Sequence, residues 1–187
     1  MSTKERIILG IDPGTSILGY GVIRVEDKKM TLLAMDVVRM DKISDHALKL
    51  EKIFTRCVEI IEEYHPDELS IEAPFFGKNV QSMLKLGRAQ GVAIAAALSH
   101  KLSVVEYAPR KIKQSITGNG NASKEQVAAM LQQILKINQA DMPKKMDATD
   151  GVAAAVCHYF QTSGPLAAKG NYKSWDSFLK NNPDRIR

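Results

Sequence analysis

The chain has 187 residues, 44% of them hydrophobic, and a formal net charge of +5. That length suits one α/β domain with or without a tail, the apolar fraction is enough for a core, and a pI near 9.1 leans toward acidic partners such as nucleic acid. No apolar run approaches the ~18 residues of a membrane span, the N-terminus is too short and polar for a signal peptide, and the two cysteines, Cys57 and Cys157, suit buried thiols rather than a disulfide or a paired-cysteine metal site. A soluble, cytoplasmic protein is expected.

In chain order, Ile7-Ile8-Leu9-Gly10-Ile11 is apolar without alternation and predicts a strand over 6–12 that is buried on both faces. It ends at Asp12, and Pro13-Gly14 turns the chain. A second strand spans about 16–25. The polar turn Glu26-Asp27-Lys28-Lys29 leads to a third over 30–39, completing an antiparallel meander. A polar linker at 41–45, with Ser44 or Asp45 as N-cap, starts a helix running to about residue 64. Its apolar face is Leu50, Ile53, Phe54, Cys57, Ile60, Ile61 and Tyr64. His65-Pro66-Asp67 stops it. Residues 68–72 form a short strand that also ends in a carboxylate, Glu72.

Phe75 and Phe76 lie in a loop at 74–78, before a long helix over about 79–100. Gly87, Gly91 and Ala95 recur every four residues on it, a ridge for close packing within the chain or between two copies. A fifth strand spans 103–107. Ala108-Pro109 opens a short helix carrying Arg110, Lys111 and Lys113. After a glycine-rich loop at 117–121, Ser123 and Gln126 form a capping box for a helix to about residue 137. A linker, 138–145, precedes the last helix at about 146–160. Residues 161–187 are polar, with five basic and two acidic side chains, and are expected to be a tail that is partly disordered. The whole reads as a mixed five-stranded sheet, a three-strand antiparallel meander plus parallel strands, flanked by helices.

In such a sheet the first and fourth strands can lie side by side, making Asp12 and Glu72 neighbours. Asp147 and Asp150, three apart at the start of the last helix, share one face. Either could be ordinary chemistry: a turn cap for Asp12, helix-dipole complementation for the pair. Yet Met146, Gly151, Val152 and Val156 mark that helix as buried, and two inward carboxylates repel unless a cation lies between them. Hard oxygen ligands without His or Cys suit Mg²⁺ or Mn²⁺. Two such ions about 4 Å apart stabilise both oxygens of a phosphodiester displacement.

These residues, in this order, resemble one family. Gly10-Ile11-Asp12-Pro13-Gly14-Thr15 with Gly19-Tyr20-Gly21 is similar to the opening motif of RuvC-type Holliday junction resolvases. Ile71-Glu72, Phe75, Lys78-Asn79 and 84–91 (Leu84 to Gly91) resemble the second motif, Glu106-Tyr107-Ala108-Pro109 with Lys113-Gln114 the third, and Asp147-Ala148-Thr149-Asp150 the last. The resemblance covers about 6–160 and implies an RNase H-like nuclease domain over 1–160. It also implies a homodimeric endonuclease making symmetric nicks in four-way DNA junctions, beside a branch-migration helicase complex. The family's catalytic metal ligands match Asp12, Glu72, Asp147 and Asp150, for two Mg²⁺ ions with Mn²⁺ as a substitute. Its junction-stacking aromatic matches Phe75, and its basic residues near the scissile phosphate match Lys113 and Lys124. Lys124 sits against the dipole preference, and a phosphate at that helix start would account for it; a solvated lysine is the plainer alternative. Lys78, Lys85, Arg88, Arg110 and Lys111 are candidate DNA-backbone contacts.

Three other readings stand beside this one. Gly10-Ile11-Asp12 with Gly14-Thr15 also resembles the first phosphate loop of actin-like ATPases, which need two lobes and a second loop. A non-catalytic junction-binding module would have to tolerate four carboxylates against DNA. Another RNase H-like nuclease would keep the site and change the substrate.

Overall fold

The computed structural model describes residues 5–74, 79–143 and 146–163. Phe75, Phe76, Lys78 and the tail from residue 164 on lie outside them. Three strands, β1 (Arg6–Asp12), β2 (Ile17–Glu26) and β3 (Lys29–Arg39), lead to helix α1 (His46–Tyr64). Then follow β4 (Glu68–Glu72), α2 (Val80–Ser99), β5 (Ser103–Tyr107), α3 (Pro109–Thr117), α4 (Lys124–Leu135) and α5 (Asp147–Ser163). The strands form one five-stranded sheet in the order β3-β2-β1-β4-β5. β1 pairs antiparallel with β2 and parallel with β4, as the predicted meander and crossover require.

The two-residue period of a strand divides the core. Leu9, Ile11, Leu69 and Ile71 face one cluster, built with Ile53, Cys57 and Ile60 of α1 and Ala93 and Ala97 of α2. Ile8 and Ile23 face the other, with Ile112, Val127, Leu131, Val152 and Val156 from α3, α4 and α5. Asp12 is in phase with Ile8, and Glu72 is out of phase with Leu69 and Ile71. Both carboxylates therefore belong to the face that α5 covers.

That face is lined with small residues where α5 crosses it. A Cβ on Gly19 would lie 2.0 Å from the Asp147 carbonyl oxygen, and one on Gly21 2.4 Å from a Val152 methyl. The buried Ser70 hydroxyl donates to the Ala154 carbonyl at 2.7 Å. Helix and sheet meet almost backbone to backbone, which fixes where the first turn of α5 falls.

Several boundaries differ from the sequence expectation for local reasons. α4 ends at Leu135 because Lys136 turns left-handed, with φ of 53°. α5 runs three residues past the expected end. Its last turn is held by Gln161 Nε2 donating to Ser115 Oγ and by the Arg6 guanidinium donating to Thr162 and Ser163. Phe54, expected on the buried face of α1, is 42% exposed. Both cysteines are buried free thiols. No helix among the described residues is long and apolar enough to cross a membrane.

Candidate active site

Asp12 and Glu72 are the last residues of adjacent parallel strands, following the paired Ile11 and Ile71. Asp147 and Asp150 lie in the first turn of α5, where the positive end of the helix dipole favours them. Asp12, Glu72 and Asp150 line one cavity of about 200 Å³ together with Lys113 and Lys124. Pro109, Ile112, Val127 and Ala153 supply its apolar wall. Asp147 does not line the cavity but stands beside it, 3.7 Å from the Lys124 ammonium.

Lys124 begins α4 behind the expected capping box. Gln126 N–H donates to Ser123 Oγ at 3.3 Å, and Ser123 N–H donates to Gln126 Oε1 at 2.9 Å. The cap fixes the helix start, and from there the ammonium reaches Asp150 Oδ2 at 2.5 Å. The electrostatics are those of crowded, partly dry carboxylates. Burial, then repulsion from Asp150, pushes the Asp12 carboxyl up to about 7 against the pull of Lys124. Burial and the charges of Asp12 and Asp150 push Glu72 up to about 8. Asp150 is also raised, by burial, although Lys124 opposes the shift. Burial works against the charge on Lys124, yet its hydrogen bond to Asp150 holds its ammonium above the usual lysine range.

Among the described residues no three His, Cys, Asp or Glu groups are spaced to hold one metal ion. The donor set nonetheless fits a hard divalent cation: oxygen ligands only, with more negative charge than one lysine balances. The structure thus brings Asp12, Glu72, Asp150, Lys113 and Lys124 to one cavity with Asp147 adjoining. It leaves Arg88 exposed on α2 and packs the Arg110 side chain against Gly120, neither lining the cavity. A groove of about 810 Å³ between the β2–β3 turn and the end of α4, lined by Glu26, Asp27, Lys28, Lys29 and Lys136 among others, lies on the same face at the other end of the strands, since Asp12 pairs with Gly19 near the start of β2 and Glu26 ends it.

One buried neighbour of Glu72 stood in the sequence reading only as part of the second motif, with no role of its own. Gln90 is 6% exposed on the inner face of α2. Its amide donates to the Glu72 carbonyl at 3.3 Å and to Glu106 Oε2 at 2.7 Å, tying the strand end that carries Glu72 to the helix. The available signal was a glutamine in helical phase with the buried Ala93 and Ala97. A partly buried chain, Tyr107–His158–Glu68–Arg6, links β5, α5, β4 and β1 on the same side of the sheet, with 2.9 Å contacts from His158 to Tyr107 and Glu68.

The family model described as "Crossover junction endodeoxyribonuclease RuvC" matches residues 8–158. The protein of that name from Porphyromonas gingivalis is 59% identical over 189 aligned positions, covering 100% of both chains. The one from Christiangramia forsetii is 61% identical over 184 positions, 98% of this chain and 94% of that one. A solved structure of T. thermophilus RuvC in complex with Holliday junction substrate matches with a TM-score of 0.75 at 32% identity, over 84% of this chain and 94% of that chain. The sheet order, the helices on both its faces and this structural match make the fold RNase H-like. With the family match spanning β1 to α5 and carboxylates from both meeting at one cavity, this chain belongs to the RuvC family of crossover junction endodeoxyribonucleases.

Proposed function

We propose that this endonuclease resolves four-way DNA junctions during recombination and repair in the cytoplasm. It would nick two strands of like polarity symmetrically and leave 5′-phosphate and 3′-hydroxyl ends. The observation that carries the reading is the meeting of Asp12, Glu72 and Asp150 with Lys113 and Lys124 around a single cavity. Asp12, Glu72, Asp147 and Asp150 would hold two Mg²⁺ ions, with Mn²⁺ as a substitute. Bound divalent ions supply Lewis acidity for the attacking water and the departing 3′ oxygen.

The chain's own residues do the rest. Lys113 and Lys124 present ammonium groups to the non-bridging phosphate oxygens. The positive end of the α4 dipole adds to the attraction for a phosphate there. Ile112, Val127 and Ala153 limit water around the reacting phosphate, which strengthens each of these interactions. Phe75 would stack on unpaired bases at the junction, with Lys78, Arg88 and Arg110 on the DNA backbone. Residues 1–160, extended to Ser163 by α5, form the nuclease domain in this reading, followed by a basic tail.

Symmetric cutting needs two sites, so the active species is a homodimer. Among the described residues nothing lies within 4 Å of a Cβ placed on Gly87 or Gly91, so their ridge is not used for packing within this part of the chain. The neighbouring Leu84 and Leu98 on α2 are 53% and 57% exposed. A helix that presents open glycines between exposed leucines fits close packing against the same helix of a second copy. A branch-migration helicase complex is the further partner that the family likeness suggests.

The test is cleavage of a labelled synthetic four-way junction beside linear duplex, nicked duplex and an RNA–DNA hybrid, each with Mg²⁺ and with EDTA. Paired, Mg²⁺-dependent nicks in the junction alone are expected. Cutting of the hybrid instead would replace the substrate, and tight junction binding without any cutting would remove the catalytic reading.

A further inference from the structure

One side chain answers all four carboxylates. The Lys124 ammonium is 2.5 Å from Asp150 Oδ2 and 3.7 Å from Asp147 Oδ1, and its charge acts on Asp12 and Glu72. Its position runs against local rules, since it is the first residue of α4, where the dipole disfavours a cation. In the structure its partners there are the carboxylates. The ammonium thus occupies the charge that a metal ion held by Asp147 and Asp150 would meet. An ammonium and a divalent cation repel at contact distance, so each weakens the hold of the same carboxylates on the other. Lys124 has somewhere to go: its side chain is 52% exposed, on a flexible four-carbon stem. Lys113 lines the same cavity but, among the described residues, makes no ion pair with these carboxylates.

We propose that Lys124 is a displaceable counter-ion of the metal site. It occupies Asp147 and Asp150 in the metal-free protein and is driven off them when metal binds. Metal loading thereby frees a second ammonium at the cavity for the substrate phosphate, so a site without metal offers it Lys113 alone. The inference rests on the metal-site reading above. It makes Lys124 a competitor of the metal rather than a supporter of its binding.

The experiment is calorimetric titration of Mn²⁺ into the full chain without DNA, for wild type, Lys124→Met, Lys124→Arg and Asp12→Asn, with melting curves in EDTA and in saturating Mn²⁺. Removing the competing charge should tighten Mn²⁺ binding about tenfold or more in Lys124→Met. The same variant should melt lower than wild type in EDTA, and the difference should vanish in Mn²⁺. Lys124→Arg, which keeps the charge, should stay near the wild-type affinity. Equal or weaker Mn²⁺ binding by Lys124→Met, with wild-type binding abolished by Asp12→Asn, would overturn this inference and leave the metal site standing. No Mn²⁺ binding by wild type, or equal binding by Asp12→Asn, would overturn the metal-site reading and this inference with it.

Discussion

Gly10 of β1 and Gly151 of α5 touch through their backbones: a Cβ on Gly10 would lie 2.1 Å from the Gly151 carbonyl oxygen. Asp12 is two residues after the first glycine and Asp150 one residue before the second. This contact therefore sets the distance between the two carboxylates as well as the packing of helix on sheet. Gly10→Ala must push α5 away, at a cost of about 1–3 kcal/mol or more. Junction cleavage should fall further than the loss of folded protein explains. Gly87→Ala, which has open space within the chain, should change the stability of the fold itself by less than about 1 kcal/mol. Urea unfolding, followed by cleavage at a temperature where both variants are folded, separates the two effects.

Asp12→Asn should lower junction cleavage by roughly 10³-fold or more, since it removes a charge that the reacting phosphate centre depends on. Junction binding should change by only a few fold. A gel-shift titration beside a single-turnover assay reads both. Loss of binding together with cleavage would assign Asp12 a structural role instead.

The carboxylates make metal-free stability depend on pH. Asp12 and Glu72 titrate near 7 and 8 in the fold and near 4 in the unfolded chain. Between these limits the folded protein keeps protons that the unfolded chain has released, so stability falls as pH rises through the window. In EDTA the melting temperature should be lower at pH 8 than at pH 5.5. Asp12→Asn should remove part of that slope and gain roughly 1–3 kcal/mol at pH 8. Protons and metal compete for the same oxygens, so apparent Mg²⁺ affinity should rise between pH 6 and pH 8. A variant with the same slope as wild type would show that Asp12 is not the group responsible.

Gln90→Leu leaves the Glu72 carbonyl and the Glu106 carboxylate without their donor. The expected loss is about 1–3 kcal/mol of stability. Because the contact positions a strand end rather than touching DNA, kcat should drop while junction affinity holds. Comparison of saturating and sub-saturating rates decides this.

Leu84→Glu places a charge in the exposed stripe of α2. Sedimentation should show a shift from dimer to monomer, with paired nicks becoming single nicks. An unchanged dimer would move the interface to another surface.

The sheet was legible because its signals were local. The unbroken apolar run before Asp12 announced a doubly buried strand, and the capping box at Ser123 marked the start of α4 to the residue. The partnership of Asp12 with Glu72 followed from strand order alone. What escaped depended on contacts across the fold. Nothing near Lys136 announces a left-handed residue, so α4 was drawn too long. The end of α5 depends on Arg6, distant in sequence. Lys124 could be assigned to a phosphate by its position, but its hold on Asp150 required the geometry. Gln90 looked like one more polar residue in a helix until its two acceptors were in view.

The cavity draws on β1 and α5, the first and last elements of the described fold. During synthesis Asp12 emerges early, while Asp147 and Asp150 must await nearly the whole domain. If these carboxylates form the catalytic site, a chain cut short before α5 carries half of it and is expected not to nick DNA. Such products should be inert rather than indiscriminate, as a cleavage assay on a chain ending before Asp147 would check.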